Sequence, residues 1–123
     1  MNDLAHVRLL AAWQNQDIET IKTILSPELK ASFVLPTHEE LIYNYDQIIN
    51  VFNERFKEQQ EWRFDVLYKT ERGTDNIVII RIYREDDHYN LLEDSSLTIL
   101  TFKTIDGDRK LIRMYTEMGI TGA

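Results

Sequence analysis

Between residues 62 and 120 the chain runs through one long alternating segment after another, with no helical pattern between them, and three amphipathic helical stretches come first. An alternating segment has one face to bury, so it must pair with neighbours and then be covered. Helices first and a meander of strands afterwards predict an α+β domain: three N-terminal helices packed on one face of a strongly curved, mostly antiparallel sheet. Curvature leaves a hollow between the helices and the inner sheet face, and concavities are where small molecules bind.

The strand pattern is explicit. Trp62, Phe64, Val66 and Tyr68 are predicted to share one face and Arg63, Asp65, Leu67 and Lys69 the other, until Arg72-Gly73-Thr74-Asp75 turns the chain. Residues 76–84 return with Ile77, Val78, Ile79 and Ile80 apolar on both sides, as a central strand covered on both faces requires. After the acidic loop Glu85-Asp86-Asp87-His88, residues 97–103 and 110–118 form a last hairpin, with Asp106-Gly107 as its turn signal. On its second strand Arg113, Tyr115 and Glu117 share one face, and Ile112, Met114 and Met118 the other.

Upstream, residues 3–16 read as a helix with Asn2 or Asp3 as cap and Leu4, Val7 and Leu10 on its apolar stripe. Asp17 caps a second helix through Ile18, Ile21, Ile24 and Leu25, which stops near Ser26-Pro27 because the residue before proline resists the α conformation. Residues 30–36 read as a strand. The next piece has two readings: Thr37 and Glu40 match a capping box that would start a helix at once, or residues 40–43 pair back on the preceding strand. The strand reading is preferred. Asn44 or Asp46 then caps a third helix, striped by Ile48, Ile49, Phe52 and Phe56, to about residue 60.

Composition narrows the function classes. A chain of 123 residues, 43% hydrophobic with four Gly and two Pro, is one domain over residues 1–123. Its net charge of −7, from 21 acidic against 14 basic residues, repels a phosphate backbone or an anionic bilayer, so neither nucleic acid nor membrane is an expected partner. No apolar run is long enough to span a bilayer, and Met1-Asn2-Asp3 lacks a secretory basic region, so the expected location is cytoplasmic. The absence of cysteine excludes disulfides, thiolate metal sites and cysteine nucleophiles. His6, His38 and His88 lack metal-ligand spacing, and no glycine-rich loop joins a strand to a helix, so neither a metal nor a cofactor is expected.

Three segments carry a resemblance when taken in order: Ala12-Trp13 with Asp17-Ile18 and Ile21 at the first helix corner, Asp46-Gln47-Ile48-Ile49 with Phe52, and Thr101-Phe102-Lys103 with Asp106-Gly107 and Lys110-Leu111-Ile112-Arg113. With these the chain resembles the nuclear transport factor 2-like superfamily of cone-shaped, cystatin-like α+β domains, which includes ketosteroid isomerases and SnoaL-like polyketide cyclases. The resemblance covers essentially the whole length. It implies a pocket in the cone and a homodimer through the outer sheet face, but no particular activity. The isomerase's oxyanion tyrosine falls at Leu9 and its base at Leu35, and leucine can neither donate a hydrogen bond nor accept a proton. Glu117 lies near the family's frequent last-strand acid, but its spacing from Gly107 departs from the usual pattern.

Six residues are the candidates for ligand binding: Trp13, Tyr45, Tyr68, Arg113, Tyr115 and Glu117. Arg113, Tyr115 and Glu117 would converge on a ligand if their face is concave, and would form an interface or ion-pair ladder if it is convex. Trp13, Tyr45 and Tyr68 either line the pocket or pack the core. No catalytic residue is assigned. The expected function is binding of a small, partly apolar molecule in the cone, with a SnoaL-like enzyme as one form of it. The alternative is a non-catalytic dimeric interaction module whose cone is filled by side chains.

Overall fold

The computed structural model describes residues 4–122. Its elements are α1 (Ala5–Gln14), α2 (Ile18–Ile24), β1 (Leu25–Val34), β2 (Glu40–Tyr43), α3 (Tyr45–Arg55), β3 (Trp62–Arg72), β4 (Asp75–Arg84), β5 (Ser95–Ile105) and β6 (Asp108–Ile120). The strands form one six-stranded sheet in the order β2-β1-β6-β5-β4-β3. All neighbours are antiparallel except β1 and β6, which run parallel because the chain returns to β1 only after the whole meander. This is the expected α+β architecture, three helices on a curved sheet.

Local chemistry explains the helix starts. The Asp17 carboxylate caps α2 by accepting from the Thr20 amide at 3.2 Å and the Thr20 hydroxyl at 2.6 Å. Asn44 and Gln47 close a reciprocal capping box on α3, each side chain accepting from the other's amide at 2.9 Å. The cap expected for α1 at Asn2 or Asp3 lies outside the described residues. Residues 40–43 pair antiparallel with Ala31, Ser32, Phe33 and Val34, as the strand reading predicts.

Two boundaries differ from the sequence reading. β1 begins at Leu25, directly after α2, and accommodates Pro27 where its register against β6 is irregular, between Leu25 and Lys30. α3 ends at Arg55 rather than near residue 60. Gln16, at φ 52° in the α1–α2 corner, takes over there: its amide nitrogen donates to the carbonyls of Phe56 at 3.4 Å and Glu58 at 3.1 Å, while its oxygen accepts from the Gln60 amide at 2.9 Å and the Trp62 indole at 3.3 Å. These bonds hold residues 56–60 in a non-helical path, and the chain turns into β3.

Two bulges set the faces of β3 and β6, and the first corrects the predicted facing of Tyr68. Val66 pairs with Ile80 but Tyr68 pairs with Ile79, so Leu67 is an extra residue. Trp62, Phe64 and Val66 stay in phase, and Tyr68 is turned to the opposite, outer face and stands 60% exposed. Likewise Leu111 pairs with Phe102 but Arg113 with Thr101, leaving Ile112 as the extra residue. The inner side of β6 is therefore Leu111, Met114, Thr116 and Met118, and its outer side is Arg113, Tyr115 and Glu117.

The core lies between the helices and the inner face. Leu9 and Trp13 of α1, Ile21 and Ile24 of α2 and Ile48 and Phe52 of α3 pack in one cluster with Val78, Ile80, Leu100, Phe102 and Met114 of the sheet. No helix among the described residues is long and apolar enough to cross a membrane.

Candidate functional site

A cavity of about 90 Å³ lies between α1, α3 and the inner face of the sheet. Strand alternation delivers its lining: Phe33 from β1, Trp62 from β3, Ile82 and Arg84 from β4, and Met114, Thr116 and Met118 from β6, with Trp13 from α1 and Val51, Phe52 and Arg55 from α3. The interior is mainly apolar. Trp13 sits edge-on to Phe52 at 4.9 Å and to Trp62 at 6.0 Å, so three large aromatic rings brace one wall.

Polar groups in this interior are sparse. The hydroxyls of Thr98 and Thr116 hydrogen-bond each other at 2.9 Å, both fully buried. The Trp13 indole N–H is buried without a hydrogen-bond partner, which costs free energy unless something in the cavity accepts from it. Ser96, half-buried, contributes one more hydroxyl to the lining.

Charge is confined to the mouth. Arg55, Glu93 and Asp94 line the cavity and are exposed, whereas Arg84 is half-buried. The Arg84 guanidinium donates from Nη1 to Gln60 Oε1 at 2.6 Å, pairs through Nη2 with Glu93, and lies over the Trp62 ring at 5.7 Å. Its buried Nε has no partner. Chemically the site offers an apolar body cavity, one free indole donor and a charged rim. Among the described residues no set of three His, Asp or Glu side chains is placed to hold a metal ion.

The structure separates the six sequence candidates. Trp13 lines the cavity. The Tyr45 hydroxyl donates to the Lys22 carbonyl at 3.1 Å and ties α3 to α2. Tyr68, Arg113, Tyr115 and Glu117 lie on the outer sheet face. There the Tyr115 hydroxyl donates to Glu117 at 2.8 Å, a bond that holds the phenol's pKa above its usual value. Asp65 belongs to a second outer cluster, accepting from Arg81 at 3.4 Å and from the Tyr83 hydroxyl at 3.3 Å. Burial, and then the Asp65 charge, raise the Tyr83 pKa. At the two isomerase positions, Leu9 is core and Leu35 is half-buried just past β1.

Arg84, Glu93 and Asp94 are not among the six sequence candidates. Arg84 had a signal: it follows Val78, Ile80 and Ile82 in steps of two, so it is a charge in phase with the inward positions. Glu93 and Asp94 sit in an irregular connection, where no periodicity marks a facing.

No protein-family model matches the sequence, and no curated protein matches it. Solved structures do. A candidate dehydratase of the nuclear transport factor 2-like family from Streptomyces avermitilis superposes with a TM-score of 0.73 at 14% identity, over 98% of this chain and 94% of that one. A nuclear transport factor 2-like protein of unknown function from Shewanella oneidensis gives 0.70 at 12% identity, over 95% and 99%. A ketosteroid isomerase-like protein from Erwinia carotovora gives 0.68 at 11% identity, over 94% and 92%. With this element order, this curved six-stranded sheet and these neighbours, the chain has the nuclear transport factor 2-like fold.

Proposed function

We propose that this protein binds a compact, largely apolar small molecule in the cone and works as a homodimer joined through its outer sheet face. The observation that carries the binding reading is an aromatic-walled cavity with a buried, unpartnered indole N–H. At about 90 Å³ the cavity is well below the several hundred Å³ of a drug-sized pocket. The occupant is therefore a small molecule or the terminal part of a larger one. If the bound molecule is also turned over, Glu93 and Asp94 are the carboxylates lining the site that are available for proton transfer.

Both tryptophans of the chain line the cavity, so their fluorescence reports its occupancy. A fragment screen at millimolar concentration is expected to yield apolar ligands that shift this emission, and Ser96→Leu, which fills the cavity, is expected to weaken them at least tenfold. A screen in which no fragment moves the emission would refute the reading.

Cross-strand register supports the dimer: Tyr68, Ile79, Ile99 and Tyr115 form one row across the outer face, with Ile77 and Leu97 beside it. Leaving such a row in water costs about 25 cal/mol for each Å² of apolar surface. Ile79→Lys is expected to convert a dimer into a monomer in sedimentation at micromolar concentration. A wild-type monomer there would remove the claim. The small cavity volume favours a second reading, an interaction module with a nearly filled cone, and an intact dimer that binds no fragment is its signature.

A further inference from the structure

We infer that the ligand of this cone is a compact monocarboxylic acid, with Arg84 as its carboxylate-binding group and Glu93 holding the guanidinium edge that the ligand's carboxylate would take. The inference rests on the cavity-binding reading above and names the ligand class.

The first support is orientation. β4 register turns Arg84 inward opposite Trp62, so a guanidinium stands at the upper limit of an apolar cavity. Taking such a charge partly out of water is unfavourable unless it is paired and hydrogen-bonded. Arg84 is held rather than free: it lies over Trp62 at 5.7 Å and donates to the Gln60 side chain at 2.6 Å, and Gln60 is itself anchored, its side-chain amide donating to the Arg55 carbonyl and its backbone N–H to Gln16 at 2.9 Å.

The second support is an unused donor. Nε and Nη2 share one edge of the guanidinium, the edge that takes a carboxylate through two parallel hydrogen bonds. Glu93 engages Nη2 alone, and the buried Nε has no partner. A ligand carboxylate lying along that edge would satisfy both donors.

The third support is the asymmetry between the two charges. Arg84 is fixed in a strand with its side chain 21% exposed, whereas Glu93 is 46% exposed on the connection between β4 and β5. Glu93 can return to water because nearly half of its side chain is already exposed, and the ligand's carboxylate would take over its bond to Nη2. An amine would instead find only the exposed Glu93 and Asp94, and would face Arg55 and Arg84. The chain's net charge of −7 does not overrule this local geometry. At physiological salt, exposed charges are screened beyond about 8 Å.

Isovalerate and benzoate, titrated against their neutral amides of similar shape with tryptophan emission as readout, test the inference. The acids are expected to bind at least tenfold tighter than isovaleramide and benzamide. Arg84→Gln should abolish that preference, and Glu93→Gln, on the exposed connection, should tighten the acids about threefold or more without helping the amides. Amides that bind as tightly as the acids would overturn this inference and leave the cavity reading standing. Acids left unaffected by Glu93→Gln would also overturn it. If neither acids nor amides move the emission while other apolar fragments do, the carboxylate assignment alone falls; if nothing does, both fall.

Discussion

The buried hydroxyl pair of Thr98 and Thr116 gives a stability prediction whose sign reverses between single and double variants. Thr98 is 0% exposed and Thr116 3%, and their hydroxyls meet at 2.9 Å across β5 and β6. Replacing one threonine with valine preserves volume and β-branching but strands the other hydroxyl in an apolar setting, at a cost of about 1–3 kcal/mol. Replacing both removes the two polar groups together, and each new methyl gains up to about 0.8 kcal/mol of apolar burial. Thr98→Val and Thr116→Val should each lower stability, whereas the double variant should equal or exceed the wild type. In urea unfolding, with a slope of about 1–3 kcal/mol per M, each single variant should bring the midpoint down by roughly 0.5–2 M. The double-mutant cycle should return a coupling of at least about 1 kcal/mol. Additive losses would refute the argument. They would mean that each hydroxyl is satisfied independently, as it would be if water filled the cavity floor that Thr116 lines.

Two further predictions address the frame around the site. Gly119, at φ +76°, faces Pro36 so closely that an added Cβ would meet Pro36 Cγ at 2.7 Å, whereas Gly73, at φ +62°, faces open space. Gly119→Ala should therefore be the more destabilising in thermal unfolding; Gly73→Ala should cost only the left-handed strain of about 1–2 kcal/mol. Equal losses would refute the contact argument. The Thr20 hydroxyl, and then its amide, hold the Asp17 pKa below the ordinary carboxylate value. A depressed folded pKa gives stability that is complete above the unfolded value of about 3.9 and is lost as pH falls through the folded one. Asp17→Asn should keep the cap and flatten the stability profile in that acid window, and an unchanged profile would count against the assignment.

What was legible in the sequence is what periodicity and capping control. The stripe of Ile48, Ile49 and Phe52 behind Asn44 is α3, and the two-sided apolar run around Ile79 is a strand in the sheet interior. The turns at Gly73 and Gly107 fall where their glycines adopt positive φ. The path from α3 to β3 was not legible, because Gln16 holds it from 40 residues away through the Phe56 carbonyl. Such long-range side-chain bonds leave no local pattern. The mouth of the cavity was equally hidden, since Glu93 meets Arg84 only once the connection after β4 has folded back over the cone.

Single inserted residues decide which side chains face the cavity. Counting in twos from the inward Leu111 would place Arg113, Tyr115 and Glu117 in the cavity, a ready-made cation, phenol and carboxylate. Ile112 interrupts the count: one extra residue in β6 turns all three outward and brings Met114, Thr116 and Met118 in. Leu67 does the same to Tyr68 in β3. Because side chains alternate with period two, a bulge exchanges a polar cluster for an apolar wall without changing any residue type. It also places the tyrosines and the arginine on the face proposed for dimerisation, where amphipathic rings and guanidinium groups suit an interface. Arg84 escapes this inversion because β4 carries no bulge between Val78 and Ile82 in its pairing with β5, so its inward phase can be counted directly from the core. A charge in phase with buried residues on an unbulged strand is therefore a stronger pointer to the site than a richer cluster on a strand whose register shifts.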